Sequence, residues 1–172
     1  MIEERAKKIK MLVLDVDGVL TDGRIIYNDF GVELKNFNVK DGFGMLLLNR
    51  AGIKAAVITA KKSRLLAKRM KEMWISRLYQ NAFDKLEAYQ DILKRFGLKN
   101  ENICYIGDDL LDLPLLKRVG LAVGVKDGAE EVKTAVHYIT ETKGGKGAVR
   151  EVIELILKAQ GKWEEVTRRY RK

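Results

Sequence analysis

The chain predicts a doubly wound α/β fold, a Rossmann-like parallel sheet with helices on both faces. Three observations carry that expectation. Short apolar runs alternate with helix-period segments almost from end to end. The runs are rich in Val and Ile with little polar alternation, as strands buried on both faces require. The 172 residues, 47% of them hydrophobic, suffice for one core without disulfide staples.

The first strand is expected over 11–16 (MLVLDV). Where a βαβ unit would then enter its helix, residues 24–39 instead hold two β-rich runs around Asn28-Asp29-Phe30-Gly31, which is hairpin chemistry. This insertion is apolar, and an exposed apolar hairpin calls for a partner. The alternation resumes with helices near 42–51, 62–73, 84–96, 109–119, 128–135 and 147–159. Strands fall between them at 54–59, 75–79, 102–107, 121–125 and 137–140. In the last helix Val149, Val152, Ile153, Ile156 and Leu157 form one core-facing stripe. The tail, about 160–172 (QGKWEEVTRRYRK), is expected to be frayed or docked on a neighbouring subunit. Residues 1–172 read as a single domain, without repeats or a linker.

Composition narrows the function classes. The net charge of +9 is spread along the chain, densest at Arg168, Arg169, Arg171 and Lys172, so no nucleic-acid partner is expected. No apolar run approaches the roughly eighteen residues of a membrane span, and the charged start argues against a signal peptide. A lone cysteine, Cys104, suits a reducing compartment, so a cytoplasmic location is expected. His137 is the only histidine, which excludes a His-rich metal site and leaves little room for a Ser-His-Asp triad.

Ligands of an open parallel sheet bind outside the carboxyl ends of its strands. Asp15 and Asp17 stand at the first such end, Thr59 at the second, Lys85 after the third, and Asp108, Asp109 and Asp112 after the fourth. Clustered carboxylates repel unless a cation or proton sits between them. All-oxygen ligands without Cys or His favour Mg²⁺. A carboxylate beside such an ion can attack phosphorus and form an acyl phosphate. The metal and a lysine then neutralise the transferring group.

These residues resemble the haloacid dehalogenase superfamily of phosphotransferases, whose four motifs match in order. DVDGVLTDG is similar to the first motif, VIT ending at Thr59 to the second, Lys85 to the third and GDDLLD to the fourth. The resemblance implies Asp15 as nucleophile and metal ligand, and Asp17 as general acid/base whose main-chain carbonyl also binds metal. It further implies Thr59 and Lys85 on the phosphoryl group and Asp108 as a magnesium ligand, with Asp109 and Asp112 in support. The hairpin, YIGDDLLDLP and GGKGAVREVIELILKAQGK extend the likeness over nearly the whole chain, toward the branch that acts on phosphorylated sugar acids.

In that branch the hairpin replaces a cap domain, four hairpins assemble into a barrel, and a neighbouring subunit helps cover each site. A homotetramer is the expectation. The branch also places a Gly-rich segment (Gly144, Gly145, Gly147) near the site, so Asp17, Lys61, Arg64 and Gly145 are candidate substrate contacts. The chain departs from the pattern at Ala60-Lys61, where the family reads Gly-Arg, and Lys does not reproduce an Arg fork.

Plainer roles stand beside these. Thr59 or Asp84 could cap a helix, Asp109 and Asp112 could serve a helix dipole, and Lys61 and Arg64 could lie on a solvated face. A receiver-like phosphoacceptor would need an acceptor Asp at the third strand end, where Tyr79-Gln80-Asn81 stand instead. An idle regulatory relative would have no need of mutually repelling acids, and a phosphatase of another small metabolite is the nearest enzymatic rival.

Overall fold

The computed structural model describes residues 1–171. Six parallel strands form one sheet: β1 (Met11–Leu14), β4 (Lys54–Ile58), β5 (Arg77–Tyr79), β6 (Ile103–Gly107), β7 (Leu121–Gly124) and β8 (Tyr138–Ile139). Their order is β5-β4-β1-β6-β7-β8, so the chain winds outward in both directions from β1. Leu14 lies opposite Val57 of β4 and Ile106 of β6, which puts the end of β1 at the reversal point.

Each central strand is buried on both faces, and alternate side chains feed two cores. Leu12, Leu14, Val57, Ile106 and Val123 face α2 (Val39–Arg50), α3 (Arg64–Glu72) and α7 (Ala148–Ala159). Met11, Val13, Ile58 and Tyr105 face α4 (Lys85–Phe96), α5 (Leu113–Leu116) and α6 (Glu130–Ala135). Helix starts follow side-chain caps. Asn38 accepts from the Lys40 N–H at 2.8 Å, so α2 begins three residues before the apolar pattern indicates. Ser63 caps α3 through the Leu66 N–H, and Asp84 caps α4 through the Leu86 N–H.

Two expectations need correction, and one helix adds to those expected. The helix expected over 109–119 is a 3-10 turn, Leu110–Asp112, followed by the short α5, because Asp109 starts a capped turn and Pro114 starts a fresh helix. The charged start forms a helix that was not anticipated, α1 (Ile2–Lys7), anchored by buried Ala6. The tail is not frayed, for α8 (Trp163–Thr167) folds back on α2 of its own chain. There Tyr170 meets Phe43 edge-on at 5.1 Å and accepts a hydrogen bond from Arg50 at 2.7 Å. The Arg150 guanidinium sits over both Phe43 and Trp163.

The insertion is a hairpin of β2 (Ile26–Tyr27) and β3 (Glu33–Leu34), paired at Ile26–Leu34 and Tyr27–Glu33. Asn28 closes its turn by accepting from the Phe30 and Val32 N–H groups. Ile25, Tyr27, Val32 and Leu34 are exposed, and Phe30 at the tip is 91% exposed.

Candidate active site

The carboxyl ends of β1, β4 and β6, with the start of α4, converge on a cleft of about 260 Å³ lined by Asp15, Asp17, Thr59, Lys61, Lys85 and Asp108 among others. A wider depression of about 660 Å³ lies at the opposite end of the sheet, around Lys10, Gly52 and Lys162, away from the acids. Backbone geometry brings the loops close. Gly18 has φ +86°, and a Cβ there would collide with the Asp108 carboxylate. Gly144 packs on the Gly18 carbonyl so tightly that any side chain would overlap it. The Gly145 N–H donates to Val19 at 2.9 Å, so the Gly-rich segment braces the loop after β1 from behind.

Lys85 is the electrostatic centre. Its side chain is 2% exposed, and its ammonium lies 3.0 Å from Asp15 and 2.6 Å from Asp112. Asp112, 1% exposed, also accepts from the Tyr105 hydroxyl at 2.5 Å and the Asp108 N–H at 2.9 Å. It therefore aims Lys85 at Asp15 and ties the end of β6 to the turn after it. Asp109 instead caps that turn, accepting from the Leu110 N–H at 2.7 Å. The two acids, three residues apart, divide between site support and capping.

Burial pushes the Asp15 carboxyl up to about 6, with Asp112 adding to the rise and Lys85 opposing it. Burial likewise pushes Asp108 up to about 8, reinforced by the charges of Asp15, Asp112 and Asp109. Burial disfavours the Lys85 ammonium, but the Asp15 and Asp112 charges outweigh it and hold its pKa above the ordinary lysine value. Carboxylate oxygens of Asp15, Asp108 and Asp112 lie within 4.8 Å of one another. With Lys85 the one cation bonded to this cluster among the described residues, the Asp108 carboxyl keeps its proton near neutrality unless a further cation joins it. An all-oxygen donor set of this kind fits a hard divalent ion.

The remaining expected residues separate. Thr59 is buried at the cleft, and Ser63, not Thr59, caps the helix that follows. Lys61 lines the cleft, 3.7 Å from Glu33 of the hairpin. Arg64 is solvent-exposed at the start of α3, and neither it nor Gly145 lines the cleft; Gly145 is occupied in backbone packing against Thr21 and Asp22. His137 accepts from the Ala122 N–H, and Cys104 is fully buried, so both are structural. Sequence reasoning missed Lys35, whose ammonium bonds the Asp17 carboxylate. Its one visible signal was a charge two residues from Glu33 on the returning arm of the hairpin.

A family model for haloacid dehalogenase-like hydrolases matches residues 48–153, spanning β4 to α7. The chain belongs to the haloacid dehalogenase-like hydrolase family. Among relatives in this family, the 3-deoxy-D-manno-octulosonate 8-phosphate phosphatase of Yersinia pestis is 46% identical over 164 residues, 95% of this chain and 88% of the relative. The same enzyme from Moraxella catarrhalis, in a crystal structure with a magnesium ion, a phosphate ion and KDO, superposes with a TM-score of 0.96 at 43% identity, covering 98% of this chain and 97% of that one. A probable phosphatase from Pseudomonas syringae superposes with a TM-score of 0.97 at 42% identity, covering 99% and 97%. The doubly wound fold expected from the alternating pattern is the fold of these haloacid dehalogenase-like hydrolases.

Proposed function

We propose that the chain is a Mg²⁺-dependent phosphatase converting 3-deoxy-D-manno-octulosonate 8-phosphate to 3-deoxy-D-manno-octulosonate and phosphate, in lipopolysaccharide precursor synthesis. The observation that carries the chemistry is the Lys85 ammonium held between Asp15 and Asp112 at the carboxyl end of the sheet. The relatives, at up to 46% identity over nearly the whole chain, support the substrate.

Asp15 attacks phosphorus, and the ester P–O bond breaks as the Asp15 acyl phosphate forms. Asp17 gives a proton to the departing sugar oxygen, then takes one from the water that hydrolyses the acyl phosphate. Lys85 neutralises charge on the transferring group, and the Thr59 hydroxyl holds one of its oxygens. Asp15, Asp108 and the Asp17 main-chain carbonyl would hold Mg²⁺, which supplies positive charge that lets a dianionic phosphate approach an acidic cleft. Lys61 at the cleft mouth offers a cation to the sugar acid.

Phosphate release is to be measured with Mg²⁺ across sugar and sugar-acid phosphates, with Asp15→Asn as the control. Strong preference for 3-deoxy-D-manno-octulosonate 8-phosphate, abolished in Asp15→Asn and by chelation, is the expected result. Activity that survives Asp15→Asn overturns the nucleophile assignment, and equal weak activity on all esters overturns the substrate. The reading includes a cytoplasmic homotetramer. Apolar side chains standing out from the hairpin support the assembly, which light scattering tests, and the lone buried Cys104 suits a reducing compartment. Among the described residues no helix is long and apolar enough to cross a membrane.

A further inference from the structure

The hairpin has two unlike sides. Ile25, Tyr27, Phe30, Val32 and Leu34 stand in solvent, while Lys35, just past β3, turns inward. A lysine on so thin an arm could reach water freely. Its side chain is instead 4% exposed, and its ammonium donates to Oδ1 of Asp17. Glu33 lies 3.4 Å from that ammonium and 3.7 Å from Lys61 of the β4–α3 loop. The arm is thus latched by charge to both loops that flank the cleft. A hairpin that served only to pack against other copies would have no use for this inner face.

The Asp17 carboxylate is also set apart from its neighbours. Carboxylate oxygens of Asp15, Asp108 and Asp112 crowd within 4.8 Å of one another, and Asp17 is not in that group. Its Oδ1 is engaged by Lys35, which leaves Oδ2 available to the cleft that Asp17 lines. A carboxylate held by one oxygen has lost most of its freedom to rotate, and proton transfer depends on such orientation.

Resting on the phosphatase reading above, we propose that Lys35 is a positioning residue. It fixes the Asp17 carboxylate through Oδ1 so that Oδ2 faces the departing oxygen, and each hairpin thereby serves proton transfer in its own subunit. As the ester P–O bond breaks and the Asp15 acyl phosphate forms, the Oδ2 proton passes to the leaving oxygen. When water then attacks the acyl phosphate, its proton returns to Oδ2 and the Asp15 carboxylate is released.

A series of substituted phenyl phosphates tests this, because none carries the sugar acid and only the basicity of the leaving group varies. With Mg²⁺, kcat/KM reports events up to departure of the phenol. A 4-nitrophenolate leaves with little need of a proton, whereas an unsubstituted phenolate needs more help. Lys35→Met should lower kcat/KM less than about threefold for 4-nitrophenyl phosphate but about tenfold or more for phenyl phosphate, part of the range general acid catalysis supplies. Lys35→Arg should restore part of the loss, and Lys35→Met should add nothing in an Asp17→Asn background. An equal fall across the series, as a merely structural role or a lost phosphate contact would give, overturns the proposal, as does full additivity with Asp17→Asn. If Lys35→Met does not fold, as judged by thermal melting, Lys35→Gln is carried through the same series with the same two outcomes. Failure of the phosphatase reading is distinguishable, since wild-type protein would then release no phosphate or Asp15→Asn would retain activity.

Discussion

Replacing Asp41 by Asn should remove a pH dependence from the stability of this fold. Asp41 lies in the first turn of α2 and is 1% exposed, and its Oδ1 accepts the Arg150 N–H at 2.8 Å. It caps α7 from a distance, since the helix's own N-cap, Gly147, has no side chain to do so. Its Oδ2 has no hydrogen-bond partner among the described residues. Burial pushes the carboxyl up from 3.8 to about 6, against the opposing bonds from Arg150 and Gly147. The folded chain therefore holds this proton more tightly than the unfolded one. The resulting stability is fully present below about pH 4 and is lost as pH rises through about 6. The whole effect is about 3 kcal/mol, of which about 1.4 kcal/mol falls between pH 5 and pH 8.

Asn keeps the acceptor for Arg150 and is neutral throughout. Urea denaturation of both proteins at pH 5 and pH 8, at equal protein concentration, gives a difference of differences. Asp15 and Asp108 titrate in both proteins and cancel. Wild type should lose about 1.4 kcal/mol more than Asp41→Asn over that interval. Identical pH slopes would refute the assignment of a raised carboxyl to Asp41.

Lys85→Met should lower kcat by about 10²–10³-fold, the loss typical of removing one preorganised charge or donor. Because it also strands Asp112 among buried groups, its melting temperature should fall, and a kcat within tenfold of wild type would show that Lys85 does not act on the transferring group. Light scattering should report the mass of four chains, and replacing both Tyr27 and Phe30 by Lys should dissociate them. A monomeric wild type would sink the assembly.

Much of the fold was legible because short, doubly buried strands leave an apolar signature that needs no knowledge of neighbours. The boundaries were less so. Asn38 and Ser63 start their helices through side-chain caps that apolar periodicity does not register. Pro114 and the Asp109 cap break a segment that reads as one helix. The tail, dense in charge, was expected to be frayed or docked on a neighbouring subunit, and Trp163 and Tyr170 find Arg150, Arg50 and Phe43 on their own chain.

The sequence by itself determined the sheet and, through the rule that strand ends bear the ligands, the placing of Asp15, Asp17, Thr59, Lys85 and Asp108 around one cleft. Tertiary structure alone decided what each charge meets. Asp109 and Asp112 are equivalent in spacing, but only Asp112 is buried against Lys85 and Tyr105. Arg64 lies close in sequence to Lys61 of the cleft, yet both it and Gly145 stand outside the lining. Lys35 bonds Asp17 across 18 positions of chain, through a hairpin with two paired positions on each arm. Burial patterns are local and periodic, so they can be read along the chain; the partner of a charge is set by where distant segments pack, and no period records it.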